Sequence, residues 1–144
     1  MPKIAVIYAS GLGRTKKMAE AIANGAMSIE GTEVLLKDAF EASPNDIVDA
    51  DAIALGGSTY NYKLIKSIDP LLKEMAKLDL KGKVGVAFGS YGWSGESIPT
   101  LIAHMKSFGM NVVEPGTAAI QVPSKDDIEK CFHLGRTIAT GLRS

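Results

Sequence analysis

Two hydrophobic periodicities alternate along the chain from one end to the other. Continuous apolar runs rich in β-branched residues are typical of strands covered on both faces, whereas apolar residues that recur every three or four positions are typical of helices. The runs predict strands at residues 3–9, 33–37, 52–55, 83–88 and 111–122, the last of them broken by Pro115-Gly116. The helical stripes are Met18, Ile22, Ala26 and Ile29; Ile68, Leu71, Leu72, Met75 and Leu78; Ile98, Leu101, Ile102 and Met105; and Ile128, Cys131, Gly135, Ile138 and Leu142.

This alternation of strands and helices predicts an α/β fold, a parallel sheet with helices on both faces. A further short helix is indicated where Ser43 can serve as N-cap, Pro44 as first residue and Asp46 as first-turn acid. Ser124 and Asp127 have the spacing of a capping pair at the start of the last helix. No linker or repeat divides the 144 residues, so we expect one domain over residues 1–144.

Three loops rich in glycine, serine and aromatic residues each follow a predicted strand. They are residues 10–15, 56–61 and 88–96. In sheets of this kind, ligands bind outside the carboxyl ends of the strands. We therefore expect the three loops to meet at one edge of the sheet and to form a single binding site.

The first loop has the composition of a phosphate-binding turn. Gly11 and Gly13 allow the backbone to approach an anion closely, and Ser10 and Thr15 can add hydroxyl donors. The N-terminus of the helix that follows favours negative charge. Arg14 either adds positive charge to the anion site or points into water.

Two other interpretations of this loop stay open. The loop can be an ordinary strand-to-helix turn. It also matches the first two glycines of the dinucleotide fingerprint, although Lys16 occupies the third place, and Asp38 stands near the position of the ribose-binding acid.

The second and third loops carry aromatic residues outside any periodic apolar face. Tyr60, Tyr91 and Trp93 can stack on a flat ligand, or they can cover the strand ends as ordinary packing. Thr59 and Asn61 can hydrogen-bond the polar edge of such a ring. A phosphate at the first loop and a planar ring at the other two outline flavin mononucleotide (FMN).

Composition and charge exclude several other classes of protein. Sixteen basic and sixteen acidic residues give a net charge of zero, which argues against general nucleic-acid binding. No apolar stretch is long enough for a membrane span, and no signal peptide is indicated. The single Cys131 is expected to be a buried small hydrophobe and fits a cytoplasmic location. No zinc-ligand cluster and no Ser-His-Asp or Cys-His constellation converges on the loops, so neither a metal site nor a catalytic residue is expected.

The three loops resemble those of the flavodoxin-like superfamily, and in particular the FMN domain of A-type flavoproteins, also called flavodiiron proteins. The resemblance covers essentially the whole chain and lies in Ser10-x-x-Gly13-x-Thr15 and in residues 57–61, 89–96 and 112–116. Two departures stand out. Ser58 meets Thr59 directly where that family usually has an intervening Pro, and the two His residues here cannot build its diiron centre.

The resemblance implies a flavodoxin-like three-layer sandwich, whose five-stranded parallel sheet has the order 2-1-3-4-5, and it implies FMN as the cofactor. The cofactor-binding residues that it implies are Ser10, Gly11, Leu12, Gly13, Arg14, Thr15, Ser58, Thr59, Tyr60, Asn61, Ser90, Tyr91, Gly92, Trp93 and Gly95.

The function implied is that of a small flavodoxin that shuttles electrons between redox proteins, one of which can be a separate diiron or iron-sulfur protein. We expect an electron carrier rather than an enzyme with its own substrate. Two alternatives stay open: an FMN-dependent NAD(P)H quinone or flavin reductase, and a flavin-free interaction module of the same fold.

Overall fold

A computed structural model describes residues 1–9, 13–60, 63–91, 96–120 and 122–143. The strands are β1 Lys3–Ala9, β2 Glu33–Asp38, β3 Ala52–Gly57, β4 Thr59–Tyr60, β5 Lys63–Leu64, β6 Val84–Tyr91 and β7 Asn111–Ile120. The helices are α1 Arg14–Met27, α2 Pro44–Val48, α3 Asp69–Met75, α4 Ser97–Ser107 and α5 Lys125–Arg143, and a 3₁₀ turn at Lys66–Ile68 precedes α3.

The main sheet has five strands in the order β2-β1-β3-β6-β7, and all four pairings are parallel. β4 and β5 are not part of this sheet and form a separate antiparallel pair. The main sheet thus has the predicted order 2-1-3-4-5, and this prediction is confirmed.

The hydrophobic core consists of two layers, one on each face of the sheet. Successive strand residues point to opposite faces, so Ile4 and Val6 pack in the layer that also contains residues of α1 and α5. Ala5 and Ile7 pack in the layer that contains residues of α3 and α4 and Ile47 of α2. Helices therefore cover both faces, as predicted, and the strand ends are left as the place for a ligand.

Two helices have N-termini that are satisfied by their own side chains. In α2 the Asp46 N–H donates to Ser43 Oγ at 3.3 Å, and the Ser43 N–H donates to Asp46 Oδ2 at 2.9 Å. In α5 the Asp127 N–H donates to Ser124 Oγ at 3.1 Å, and the Ser124 N–H donates to Asp127 Oδ2 at 2.9 Å. Both predicted caps are confirmed. The Ser43 N–H and the Lys37 ammonium hold the pKa of Asp46 below its usual 3.8.

The structure differs from the predicted elements at two of the three loops. Residues 56–61 are not wholly loop, because β3 continues through Gly57 and β4 begins at Thr59. β6 continues to Tyr91, so Ser90 and Tyr91 are strand residues, paired with Ala119 and Ile120 of β7.

Candidate functional site

The carboxyl ends of β1, β3 and β6 lie side by side at one edge of the sheet, which we call the carboxyl edge. Ala9 pairs with Gly57 at the ends of β1 and β3, and Gly56 pairs with Phe88 where β3 meets β6. The three loops singled out in the sequence leave the sheet from these strand ends. The topology therefore brings the starting points of the three loops to one edge.

A pair of hydroxyl groups joins the start of α1 to the end of β6. Thr15 is fully buried, and its Oγ1 lies 3.1 Å from Ser90 Oγ. The Ser90 N–H also donates to Thr15 Oγ1 at 3.4 Å. These contacts hold the flank of the first loop against the flank of the third.

A second threonine joins the other two loops. The Ser97 N–H, in the first turn of α4, donates to Thr59 Oγ1 at 3.0 Å. Thr59 lies in the second loop, two residues after the end of β3, and begins β4. Ser97 directly follows the third loop. The threonine hydroxyls of the first and second loops thus both accept a backbone N–H from the flanks of the third loop.

The N-terminus of α1 differs from those of α2 and α5 because no side-chain hydrogen bond caps it in the part of the chain that the structure describes. Gly13 precedes the helix in the left-handed conformation, with φ of 80° and open space where a Cβ would lie. The first turn contains no acid but contains Arg14, Lys16 and Lys17. Cations at this end oppose the helix dipole, so the arrangement suits a bound anion such as a phosphate.

The strand ends are packed so closely that glycine is required there. A Cβ on Gly89 would lie 2.1 Å from the backbone oxygen of Gly57, and one on Gly56 would lie 2.1 Å from the ring of Phe88. These glycines thus allow β3 and β6 to pack closely. The sequence pattern alone does not distinguish this role from close approach to a ligand.

Two polar side-chain atoms at the start of α4 are buried, and neither has a hydrogen-bond partner among the described residues. They are Glu96 Oε2 and Ser97 Oγ. Ser97 is fully buried, and its Oγ lies 3.1 Å from the position of a Cβ on Gly89. Buried polar groups are nearly always paired, so these atoms mark a place where a polar ligand group can be accommodated.

Several of the predicted site residues lie outside the described residues: Ser10, Gly11, Leu12, Asn61, Gly92, Trp93 and Gly95. Of the others, Gly13, Arg14 and Thr15 form the start of α1, while Ser58, Thr59 and Tyr60 lie at the end of β3 and in β4. Ser90 and Tyr91 end β6. The structure brings the described members to one edge, while their contacts with a cofactor stay a prediction.

Sequence reasoning did not include Glu96 or Ser97 among the site residues. The sequence did contain a signal for Glu96. It is the last residue of the motif of residues 89–96, and no Ser or Thr stands three positions before it to form a capping box. Asp38, the acid of the dinucleotide interpretation, makes a local contact, since its Oδ1 accepts the Phe40 N–H at 2.9 Å.

Cys131 is fully buried on α5, as predicted. Burial, with a contribution from Asp127, raises the pKa of its thiol to about 12. The thiol is therefore not a nucleophile at neutral pH, and we exclude it from the chemistry of the carboxyl edge.

Comparison with known proteins gives the family. The flavodoxin family model matches residues 6–135. A flavodoxin from Aquifex aeolicus is 34% identical over 160 residues, a match that covers 96% of this chain and 86% of that protein. The structure of a flavodoxin from the domain Archaea superposes with a TM-score of 0.94 and 35% identity, and the match covers 99% of both chains. The chain belongs to the flavodoxin family.

A second group of relatives is longer than this chain. A nitric oxide reductase from Moorella thermoacetica is 34% identical over 142 residues, which is 95% of this chain and 35% of that protein. The chain thus spans about a third of the length of the first curated relatives that it matches.

Membership of this family confirms the predicted flavodoxin-like class and FMN as its cofactor. The carboxyl edge fits FMN on its own features, because a cation-rich helix N-terminus without a side-chain cap from the described residues suits the phosphate, and unpaired buried polar atoms lie at the neighbouring loops. Among the helices of the described residues, none combines the length and the apolar character that crossing a membrane requires.

Proposed function

We propose that this chain holds FMN across the carboxyl edge and carries electrons between separate redox proteins. The observation that carries the proposal is the cation-rich N-terminus of α1, which has no side-chain cap from the described residues and is joined through Thr15 and Ser90 to the end of β6. With its phosphate at the start of α1, FMN would place its isoalloxazine ring over the neighbouring ends of β3 and β6. The bound FMN supplies the redox chemistry by taking up and releasing electrons.

The phosphate end is assigned to the first loop and the start of α1. Residues 10–13 would present backbone N–H groups, and Arg14 would add charge. Thr15 is held by Ser90, so we assign its hydroxyl the role of fixing the geometry of the loop as well as facing the phosphate.

The ring end is assigned to the second and third loops. Ser58, Thr59, Tyr60 and Asn61 would line one side of the ring, and Ser90, Tyr91, Gly92, Trp93 and Gly95 the other. Trp93 and the tyrosines would stack on the isoalloxazine, where burial of large flat surfaces contributes most of the binding energy.

The proposed partners are an electron donor and an acceptor on other protein chains, one of which can be a diiron or iron-sulfur protein. The described residues contain no group of three or more His, Cys, Asp or Glu that could hold a metal ion, so such a centre would belong to the partner. We place the exchange in the cytoplasm, where the free thiol of Cys131 would stay reduced.

The experiment that tests this function compares two flavins on the apo-protein. Titration with FMN should quench the flavin fluorescence, and riboflavin, which lacks the phosphate, should bind at least about a hundredfold more weakly, because several charge-assisted hydrogen bonds are lost. Equal affinity for the two flavins would overturn the phosphate assignment.

A kinetic experiment distinguishes a carrier from an enzyme. The FMN-loaded protein should accept electrons from NADPH only when a separate flavin-containing reductase is added. Steady turnover of NAD(P)H with a quinone and no reductase would instead establish the alternative, a quinone reductase.

A further inference from the structure

The start of α4 contains a carboxylate for which neither the fold nor the predicted site accounts. Glu96 is the N-cap residue of α4, but its side chain makes no capping hydrogen bond. Its carbonyl oxygen is occupied, because it accepts the Thr100 N–H at 3.2 Å and the Thr100 hydroxyl at 2.7 Å. The carboxylate takes no part in these contacts.

One oxygen of this carboxylate is in an energetically unfavourable environment. Glu96 Oε2 is buried and has no hydrogen-bond partner in the part of the chain that the structure describes. An unpaired buried acceptor destabilises a protein, and the effect is larger when the acceptor belongs to a charged group. A group that donates a hydrogen bond to this oxygen would remove that destabilisation.

The position of Glu96 tells which end of FMN can reach it. The next residue, Ser97, donates its N–H to Thr59 of the second loop, and Glu96 itself is the last residue of the third loop. Glu96 therefore lies where the second and third loops meet. In the proposed function this junction holds the isoalloxazine ring, while the phosphate lies at the start of α1.

The chemistry of the ring then selects one atom. A carboxylate only accepts hydrogen bonds. The oxidised isoalloxazine has several acceptor atoms but a single N–H donor, the imide N3–H of its pyrimidine part. Only this group can satisfy Glu96 from the ring.

We propose that the Glu96 carboxylate accepts a hydrogen bond from the N3–H of FMN and is a cofactor-binding residue of this protein. The inference rests on the proposed function, since it requires the ring to lie at the junction of the second and third loops. It also assigns a consequence to the negative charge. A carboxylate beside the ring disfavours the negative charge that the ring gains on reduction, so Glu96 lowers the affinity for reduced FMN relative to oxidised FMN.

The first test measures dissociation constants for FMN and for 3-methyl-FMN, in which a methyl group replaces the N3 hydrogen. Wild-type protein should bind 3-methyl-FMN at least about tenfold more weakly than FMN, because a charge-assisted hydrogen bond is lost. In Glu96→Ala the two flavins should differ by less than about threefold, since no carboxylate is left to distinguish them. Glu33→Ala is the control, because Glu33 is an exposed residue at the amino end of β2, and it should keep the wild-type ratio.

The second test uses Glu96→Gln, which keeps the shape of the side chain and removes its charge. The affinity for reduced FMN relative to oxidised FMN, obtained from a redox titration, should rise by about threefold or more. Glu33→Gln should leave this ratio unchanged.

The outcomes separate the inference from the function on which it rests. If wild-type protein does not bind FMN, both fail. If wild-type protein binds FMN but Glu96→Ala keeps the wild-type preference for FMN over 3-methyl-FMN, only the role of Glu96 is wrong. An unchanged redox ratio in Glu96→Gln also overturns that role, whether or not Glu96→Ala folds.

Discussion

At the scale of single residues, the two site threonines have more than one task. Thr15 and Thr59 belong to the predicted cofactor loops, yet each hydroxyl also accepts a backbone N–H. Thr15 accepts that of Ser90, near the start of the third loop, and Thr59 accepts that of Ser97, directly after it. These hydrogen bonds fix the relative positions of the loops in the protein itself. Fixing these described residues before a ligand binds lowers the entropic cost of binding.

The hydrogen bond at Thr59 gives a prediction for stability. Thr59→Val keeps the shape of the side chain but removes the acceptor, so the Ser97 N–H is left without its partner. We expect the free energy of unfolding to fall by about 1–3 kcal/mol. The measurement is urea denaturation of the apo-protein followed by circular dichroism.

The control for this prediction is Thr137→Val on α5. The Thr137 hydroxyl donates to the His133 oxygen within the same helix, on its exposed side, at 2.9 Å. Its loss should change the free energy of unfolding by no more than about 0.5 kcal/mol. Equal effects of the two substitutions would show that the Thr59 contact does not hold the second loop.

The sequence identified residue types at the site better than it identified their partners. It selected Thr15 and Thr59 because hydroxyl groups in glycine-rich loops suit an anion or a ring edge. It did not assign Ser90 and Ser97 as their partners, because those contacts join residues 75 and 38 positions apart in the chain. Contacts of this kind depend on the register of the sheet, which periodicity alone does not give.

At the scale of elements, prediction succeeded where one local signal was sufficient. β1 was predicted with its observed bounds because it is one continuous apolar run, and the start of α2 because Ser43, Pro44 and Asp46 stand at capping positions. The β4–β5 pair was missed, since strands of two residues show no periodicity. The extension of β6 to Tyr91 was missed because it depends on pairing with β7 beyond an irregularity between Val86 and Phe88.

The contact between α1 and α5 depends on two helical glycines. A Cβ on Gly25 would lie 1.8 Å from the Phe132 oxygen, and a Cβ on Gly135 would lie 2.0 Å from the Ile22 oxygen. The two helices thus approach each other backbone to backbone. Glycine inside a helix costs roughly 1 kcal/mol relative to alanine, and here the close packing compensates for it.

This packing predicts opposite effects for the same substitution at two positions of α5. Gly135→Ala should lower the free energy of unfolding by about 1–3 kcal/mol, because the helices must move apart. Gly141→Ala should raise it by up to about 1 kcal/mol, since nothing lies within 4 Å of the added Cβ and helix propensity improves. Urea denaturation of both variants measures the difference, and a stabilising Gly135→Ala would contradict the close approach.

At the scale of the whole molecule, charge and stability are distributed unevenly although the net charge is zero. The two core layers and the capped helices α2 and α5 stabilise the body of the fold. The carboxyl edge has two of the three unpaired buried side-chain atoms found among the described residues, and its α1 has a cationic first turn and no side-chain cap from those residues. Functional sites are where such departures from local stability rules are expected.

This uneven distribution predicts where FMN stabilises the protein. A ligand at a hundred times its dissociation constant adds about 2.7 kcal/mol to the free energy of unfolding, which corresponds to a rise in melting temperature of roughly 5–10 °C for a domain of this size. The apo-protein should already be folded, because the two core layers do not involve the ligand. Differential scanning calorimetry with and without FMN measures both expectations.

Hydrogen exchange then locates the effect. With FMN bound, exchange should slow at the start of α1, at Thr59 and in the first turn of α4, because these backbone groups lie beside the ligand and the loops that hold it become more rigid. Exchange at the amino ends of β1 and β2, near Lys3 and Glu33, should not change, since these residues lie at the opposite edge of the sheet. Protection centred on that opposite edge would move the FMN site away from the three loops. Protection confined to the start of α1 would leave only the phosphate assigned and would require another place for the ring.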